Sequence, residues 1–318
     1  MSGSGMDRWT HPAVILVATD LSDLDRLMPF AFHEASESGA RLILLHVLAS
    51  AAGMAVDPVG MPYYDPASAL DTAAKILEPW CGMARKRKIV CDGLVREGNA
   101  SQQIAASVRQ FHVDRILLGT RSRSKMSKLF LGSVAEQVLR SVNLPVITVG
   151  PEAHLAVTGN DQQKVVLYAT TLRETSRPSA ALACQIAASQ NAKLVLLHVL
   201  PHIGDKVRDE LPTGLDSEAM QELRALADET GASESGCCAQ VEARIAHGNP
   251  SIEILAASAE LQASLIVLGS TRRSALQNLA RDRTIYRVLA HARCPVLSLG
   301  EPVEMNPVSD VEHLASRL

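Results

Sequence analysis

A glycine- and serine-containing stretch in the first half of the chain has the residue types and spacing of a phosphate-binding loop. Gly119 follows a short apolar run, and Gly132-Ser133 precedes a segment with helical periodicity. Gly119 would let the backbone leave a strand with little steric restriction, and Gly132-Ser133 would present free backbone N–H groups at a helix start. The helix dipole and these N–H groups both favour phosphate. Ser133 would equally suit a helix cap, so this stretch alone leaves both interpretations open.

Short β-branched runs alternate with longer helical patterns on both sides of this stretch. Such alternation predicts a parallel sheet with helices on both faces and ligands at the carboxyl ends of the strands. The fold class is therefore α/β and Rossmann-like. The predicted strands are 13–18, 41–48, 89–95, 114–118 and 145–149, and the predicted helices are 23–38, 67–87, 100–111 and 133–142.

The chain contains this pattern twice. The segment LILLHVL at 42–48 matches LVLLHVL at 194–200. Gly98-Asn99 matches Gly248-Asn249, and Pro145-Val146 matches Pro295-Val296 at the same offset. A length of 318 residues is about twice that of a common domain. We predict two tandem domains, each a five-stranded parallel sheet with helices on both faces.

Composition gives the domain boundaries. The first ten residues lack the basic region and apolar core of a secretory signal, and the segment between the copies is polar with Pro and Gly. We predict a disordered leader (1–10), a first domain with the candidate site (11–150), a linker (151–163), a second domain (164–300) and a C-terminal tail of unassigned role (301–318).

Charge and hydropathy exclude several classes of partner. The net charge is −3, which gives no general attraction to nucleic acid or to anionic lipid. The longest apolar stretch, 42–56, is interrupted by polar residues and is too short to span a bilayer. We predict no nucleic-acid and no membrane partner, and a cytoplasmic location.

The cysteines do not have the spacing of a metal site. The six cysteines include no CxxC pair and no paired Cys/His spacing, so we predict no structural zinc and read all six as reduced thiols.

The candidate loop resembles the signature of the universal stress protein family, Gly-x2-Gly-x9-Gly-[Ser/Thr]. The spacing is intact, with Gly119, two residues, Ser122, nine residues and Gly132-Ser133. The segment VILVATD at 14–20 looks like the first strand of the family. Ser122 stands where the family has its second glycine, and a Cβ there would block the nucleotide or reshape the loop.

The resemblance implies a site for ATP, with or without Mg²⁺. In ATP-binding members of the family, the residues that match Asp20 and Val47 hold the adenosine. Those that match Gly119, Gly132, Ser133 and Val134 surround the phosphates. We carry these positions over to this chain, with Ser122 as the variable member of the loop.

The second copy lacks the features of the site. Thr171 stands at the position of Asp20, Arg272 at that of Ser122, and Asp282-Arg283 at that of Gly132-Ser133. A carboxylate at Asp282 can occupy the helix start in place of a phosphate. We therefore predict that the second domain is a scaffold without a nucleotide.

Histidine and basic residues near the site have simpler explanations. His46 and His198 end equivalent strands although only one copy keeps the site, so a structural role is favoured over chemistry. The basic residues of the loop would either steer phosphates or remain solvated; they are Arg121, Arg123, Lys125 and Lys128.

Two functions from different classes follow from these observations. The first is a stress-response protein that binds an adenine nucleotide and is not an enzyme, because P-loop and paired-carboxylate motifs are missing. Slow ATP hydrolysis is compatible with the resemblance but not implied. The alternative is an interaction module without a nucleotide, in which Ser122 marks loss of the first site as well. Both predict a homodimer, because strands 145–149 and 295–299 would be exposed sheet edges. An ATP-dependent enzyme on the same fold has the least support.

Overall fold

The structure, a computed structural model, describes residues 8–49, 66–120, 131–155, 163–173, 176–201, 215–231, 240–269 and 283–299. No helix within these ranges is long and apolar enough to cross a membrane. The first copy consists of β1 (Val14–Thr19), α1 (Leu24–Ser38), β2 (Arg41–Leu48), α2 (Pro66–Lys86), β3 (Cys91–Glu97), α3 (Ala100–Phe111), β4 (Arg115–Gly119), α4 (Ser133–Ser141) and β5 (Val146–Val149).

The second copy has the same order of elements. It consists of β6 (Val165–Thr170), α5 (Ser176–Ser189), β7 (Lys193–Leu200), α6 (Leu215–Gly231), β8 (Val241–His247), α7 (Pro250–Glu260), β9 (Leu265–Gly269), α8 (Arg283–His291) and β10 (Val296–Leu299). The strands and helices predicted for the first copy are confirmed, with ends that differ by at most two residues.

The strands form because their side chains are apolar on both faces of the sheet. Along β1, Ile15 and Val17 pack in one buried cluster with α1 and α2. Val14 and Leu16 point the other way and join a second cluster with α3 and α4. Strands that are buried on both faces read as continuous apolar runs, which is why their positions were predictable.

The two copies share one ten-stranded sheet with the order β3-β2-β1-β4-β5-β10-β9-β6-β7-β8. Neighbouring strands are parallel within each copy, and β5 pairs with β10 in the antiparallel sense. This confirms the α/β fold class with a five-stranded parallel sheet in each copy. Because the junction is antiparallel, the carboxyl ends of the two sets of strands lie at opposite edges of the sheet.

The pairing of β5 with β10 corrects the basis of the homodimer prediction. Both strands were expected to be exposed edges that pair with another chain. Instead they pair with each other, with Ile147 opposite Leu297 and Thr148 opposite Val296. Because both edges belong to one chain, their pairing costs no translational or rotational entropy of association. Neither edge is therefore open to a second chain.

The two copies follow the same backbone path at residues with uncommon φ angles. Left-handed φ angles occur in equivalent pairs, and Asn99 and Asn249 cap equivalent helices with their side chains. Such angles are uncommon for residues other than glycine, so they mark a shared backbone path rather than chance. The pairs are Leu21 and Leu172, Gly39 and Asn191, Gly98 and Gly248, and His112 and Gln262.

Segments predicted to be leader and linker take part in the structure. Residues 8–10 form a helical turn, and the Trp9 carbonyl accepts a hydrogen bond from the buried Arg115. In the linker, His154 N–H donates to the Arg293 carbonyl at 3.0 Å, and Leu155 packs against the core. The expectation of disorder therefore does not hold for residues 8–10. Residues 156–162 and the tail 301–318 lie outside the described residues.

One cysteine departs from the prediction. Cys81, Cys91 and Cys294 are free and buried, as expected. Cys184 is disulfide-bonded, and its partner lies outside the described residues. The prediction of six reduced thiols is wrong for Cys184, because spacing along the chain does not reveal which cysteines the fold brings together.

Removal of the Thr148 hydroxyl tests how much the junction between the copies contributes to stability. The hydroxyl is fully buried and donates to the Val296 carbonyl at 3.1 Å. Thr148→Val keeps the shape but removes this donor, so we expect a loss of about 1 kcal/mol in the free energy of unfolding, measured by urea denaturation. Thr72→Val on the exposed face of α2 is the control and should change stability by less than about 0.5 kcal/mol. Equal stability of both variants would show that the buried bond contributes nothing.

Candidate functional site

The order of the strands creates a crevice at the carboxyl end of β1. β1 pairs with β2 on one side and β4 on the other, so the connecting helices leave in opposite directions. Ligands in open α/β sheets bind at such a reversal. Thr19 lies level with His46, and Ala18 with Leu118, so the ends of the three strands form one edge.

A cavity of about 300 Å³ occupies this crevice. That volume is at the lower end of the range for small-molecule sites. Six of the seven predicted site residues line it, although they come from four separate parts of the chain: Asp20, Val47, Gly119, Gly132, Ser133 and Val134. Ser122 and the basic residues between Arg121 and Lys128 lie outside the described residues.

The floor of the cavity is apolar. It is formed by the last core residues of β1, β2 and β4 and by small or aliphatic residues of α3 and α4, which are Ala18, Leu45, Leu118, Ile104 and Ala135. Such a surface suits a flat ring that is buried from water.

The start of α4 provides the polar side of the cavity. Gly132 is the N-cap residue and Ser133 is the first helical residue, so the interpretation of Ser133 as a helix cap is wrong. Ser133, Val134 and Ala135 occupy the first turn, where backbone N–H groups have no partner within the helix. The first bond inside the helix runs from Glu136 N–H to the Gly132 carbonyl at 2.9 Å.

Gly132 has a different role from the one expected. Its N–H was predicted to be free for a phosphate, but it donates to the Thr120 carbonyl at 2.8 Å. Thr120 in turn donates its N–H to the Val149 carbonyl at 3.2 Å. The bond between Gly132 and Thr120 closes the candidate loop at its base and places the start of α4 beside the end of β4.

The turn between β1 and α1 is held by its own side chains. Asp20 Oδ1 accepts hydrogen bonds from Ser22 N–H at 2.9 Å and from the Ser22 hydroxyl at 2.7 Å. Thr19 Oγ1 accepts a bond from the N–H of Leu21, whose φ is 70°. Asp20 is exposed, so its second carboxylate oxygen can accept a bond from a ligand.

Asp23 is a lining residue that sequence reasoning missed. Its Oδ1 accepts a bond from the Thr19 hydroxyl at 2.6 Å. Burial raises the pKa of the Asp23 carboxyl, and the nearby Asp20 adds to this, against the opposing effects of the Thr19 hydrogen bond and Arg26. An acidic residue just before a helix usually reads as a cap, so its type and place gave no sign of a cavity.

Gly119 is needed for a reason other than the one predicted. A Cβ at this position would lie 2.5 Å from Asp23 Oδ2 and 2.8 Å from Arg26 Nη2. The glycine therefore admits two charged side chains against the end of β4, and its φ is not in the left-handed region.

His46 lines the cavity but is anchored in the same way as its counterpart. His46 Nδ1 donates to the Thr19 carbonyl at 2.9 Å, and His198 Nδ1 donates to the Thr170 carbonyl at 2.9 Å. The donor assignment follows from the carbonyl acceptor. A bond present in both copies supports the predicted structural role.

The two sides of the cavity differ in charge. Asp20 and Asp23 place two carboxylates beside β1, and the residues described along its lining include no Lys or Arg. The free N–H groups of α4 provide partial positive charge on the opposite side. An anionic group is therefore favoured beside α4 and disfavoured beside β1. No group of three or more His, Cys, Asp or Glu side chains within the described ranges could hold a metal ion.

The second copy differs at the equivalent positions. Thr171 is exposed and offers no carboxylate. Among the described residues, the groups nearest to Gly269 are the Tyr168 hydroxyl and Ser179, which are neutral. Glu174, at the position of Asp23, lies outside the described residues. Arg283 begins α8 just as Ser133 begins α4, while Arg272 and Asp282 lie outside the described residues.

Comparison with known proteins gives the family. The model of the universal stress protein family matches residues 13–150 and again residues 163–299. The chain belongs to this family. As a universal stress protein it is a tandem member, with two family domains in one chain. The resemblance inferred from the sequence is thereby confirmed.

Relatives match either both copies or one of them. A universal stress protein of Mycolicibacterium smegmatis (strain ATCC 700084 / mc(2)155) is 26% identical over 296 residues, which cover 89% of this chain and 95% of that protein. A universal stress protein from Thermus aquaticus is 30% identical over 141 residues, which cover 42% of this chain and 96% of that protein. The crystal structure of a universal stress protein from Archaeoglobus fulgidus DSM 4304 aligns with a TM-score of 0.69 and 21% identity, over 92% of this chain and 98% of that one. At this identity, the last alignment supports the fold alone.

Substitution of Gly119 tests the close approach at the end of β4. In Gly119→Ala the added methyl group meets Asp23, whose carboxylate is held by Thr19 and cannot easily retreat. We expect a loss of about 1 to 3 kcal/mol in thermal or urea unfolding. Gly82→Ala within α2 is the matched control, since its Cβ meets nothing within 4 Å and alanine should stabilise the helix by roughly 0.5 to 1 kcal/mol. A Gly119→Ala protein as stable as wild type would contradict the described packing.

Proposed function

We propose that the first copy binds ATP, or a closely related adenine nucleotide, in the cavity between β1, β4 and α4. The second copy serves as a scaffold and binds no nucleotide. The protein acts through the bound nucleotide as a stress-response component rather than as an enzyme.

The observation that carries this proposal is the convergence of six matching family positions on one cavity. Asp20 and Val47 lie on the side of β1 and β2, where the family holds adenosine. Ser133 and Val134 lie at the start of α4, where the family holds phosphates. Residues distant in sequence thus lie on opposite sides of the same cavity, which supports the two roles expected of them.

The charges of the cavity support one orientation of the nucleotide. Phosphates carry negative charge and are repelled by Asp20 and Asp23, while the free N–H groups of α4 attract them. The apolar floor accepts the adenine ring. Mg²⁺ would accompany ATP mainly on the phosphate oxygens, which together with water are its usual ligands.

A binding role is favoured over catalysis because no side chain in the described part of the site is placed as a general base for the phosphates. His46 donates its Nδ1 proton to the Thr19 carbonyl, a structural bond that His198 repeats. Asp20 and Asp23 lie on the side that repels the phosphates. The cytoplasmic location and the homodimer stay predictions from the sequence, and a dimer would need a surface other than the β5 and β10 edges.

Calorimetric titration of the full chain with ATP and Mg²⁺ tests the proposed function. We expect one binding site per chain, because the second copy lacks the matching residues. Absence of both heat and a thermal shift at millimolar ATP would overturn the proposal. Two equivalent sites would contradict the scaffold role of the second copy.

Ser133 provides the sharper test of the phosphate side. Ser133→Ala removes a hydroxyl donor beside an anionic group, a bond of roughly 1.5 to 3 kcal/mol, so ATP affinity should fall about ten- to a hundredfold. Affinity for adenosine, which has no phosphate, should not change. Arg283→Ala at the equivalent position of the second copy is the control and should leave ATP affinity unaltered. Equal losses for ATP and adenosine would place Ser133 outside the phosphate site.

A further inference from the structure

Asp23 occupies the N-cap position of α1 but does not cap the helix. An aspartate there normally accepts a bond from an N–H group of the first turn. The side chain of Asp23 makes no such bond. Oδ1 accepts the Thr19 hydroxyl instead, and Oδ2 lies against Gly119. The carboxyl is turned away from its own helix and lines the cavity.

The turn that carries Asp23 is common to both copies. In the second copy the same backbone path leads from Thr170 through Leu172, with its left-handed φ. Glu174 stands at the position of Asp23 in the sequence and lies outside the described residues. The first copy differs in having a second carboxylate in this turn, Asp20, where the second copy has Thr171.

Within the described part of the chain, the ionised form of Asp23 is compensated only by the Thr19 hydrogen bond and by Arg26. On its own turn and helix the charged neighbours are Asp20 and Arg26, and Arg26 Nη2 is 3.8 Å from Oδ2, too far for a hydrogen bond. His46 comes from β2 but donates Nδ1 to Thr19. The described parts of β4, α3 and α4 that line the cavity bring no ionisable side chain.

We propose that Asp23 is the proton-linked residue of the nucleotide site, and that it takes up a proton from solvent when a polyphosphate binds. The inference rests on the proposed function, because it needs an anionic ligand in this cavity. A phosphate chain adds several negative charges within the same small space, and like charge disfavours the ionised carboxylate. Protonation removes that repulsion and keeps the contacts of Asp23 with Thr19 and Gly119.

The pKa of Asp23 determines in which direction ATP affinity changes with pH. Burial has already raised the pKa of Asp23 in the free protein, and bound phosphates raise it further. ATP therefore binds more tightly as the pH falls through the range between these two pKa values, and less tightly as the pH rises through it. Adenosine carries no phosphate, so its affinity should not follow this change.

Calorimetry of the full chain at pH 5 to 8 tests this linkage. ATP and adenosine are titrated with EDTA present, in two buffers of different ionisation enthalpy, which gives the number of protons taken up. In wild type we expect proton uptake with ATP and up to about a tenfold fall in ATP affinity with rising pH, beyond the change due to the phosphate group itself. Asp71→Asn, an exposed substitution on α2, should behave as wild type.

Asp23→Asn isolates the contribution of the carboxyl. Its amide oxygen can still accept the Thr19 hydroxyl, so the turn is preserved, and thermal melting checks the fold. We expect this variant to lose the additional proton uptake and to bind ATP at pH 8 more tightly than wild type. Asp23→Ser, which also removes the carboxyl, should give the same result. ATP binding by both variants with the proton uptake and pH profile of wild type would overturn the inference alone. Failure of wild type to bind ATP at any pH would overturn the proposed function as well.

Discussion

Backbone pairing of β1 with β2 on one side and β4 on the other is the constraint on which the site depends. This arrangement sends the connecting helices in opposite directions and leaves a crevice where the three strands end. The bond from Gly132 N–H to the Thr120 carbonyl then brings α4 to the same edge. Without either contact, the free N–H groups of α4 would not face the carboxylates beside β1.

The two copies combine one backbone path with different side chains at the crevice. Their left-handed positions, their helix caps on Asn99 and Asn249 and their anchored histidines correspond. The described differences lie in side chains at the crevice, where Thr171 replaces Asp20. The proposed absence of a nucleotide from the second copy therefore needs no change in fold, and this copy still completes the ten-stranded sheet through β10.

Much of the fold was predictable because its signals are local. β1 is apolar on both faces and reads as a buried strand, and Asn99 marks the start of α3 as an N-cap residue. The lining of the cavity was predictable for a similar reason, since parallel strands bring Asp20, Val47 and Gly119 to one edge of the sheet. The universal stress protein signature then indicated which helix start completes it.

The remainder depends on contacts between distant residues, which no local pattern contains. Asp23 has the type and place of a helix cap, and only the packed structure turns its carboxyl toward Thr19 and Gly119. Strands β5 and β10 each read as an exposed edge, and their mutual pairing depends on how the second copy folds back on the first. The disulfide at Cys184 likewise follows from proximity in space.

In the function we propose, only one of the two similar copies holds the nucleotide. Photolabelling of the full chain with azido-ATP, followed by mass spectrometry of the modified peptides, tests it directly. We expect labelling that excess ATP suppresses and that is confined to peptides from residues 11–150. ATP-sensitive labelling within residues 164–300, or none in either copy, would contradict it.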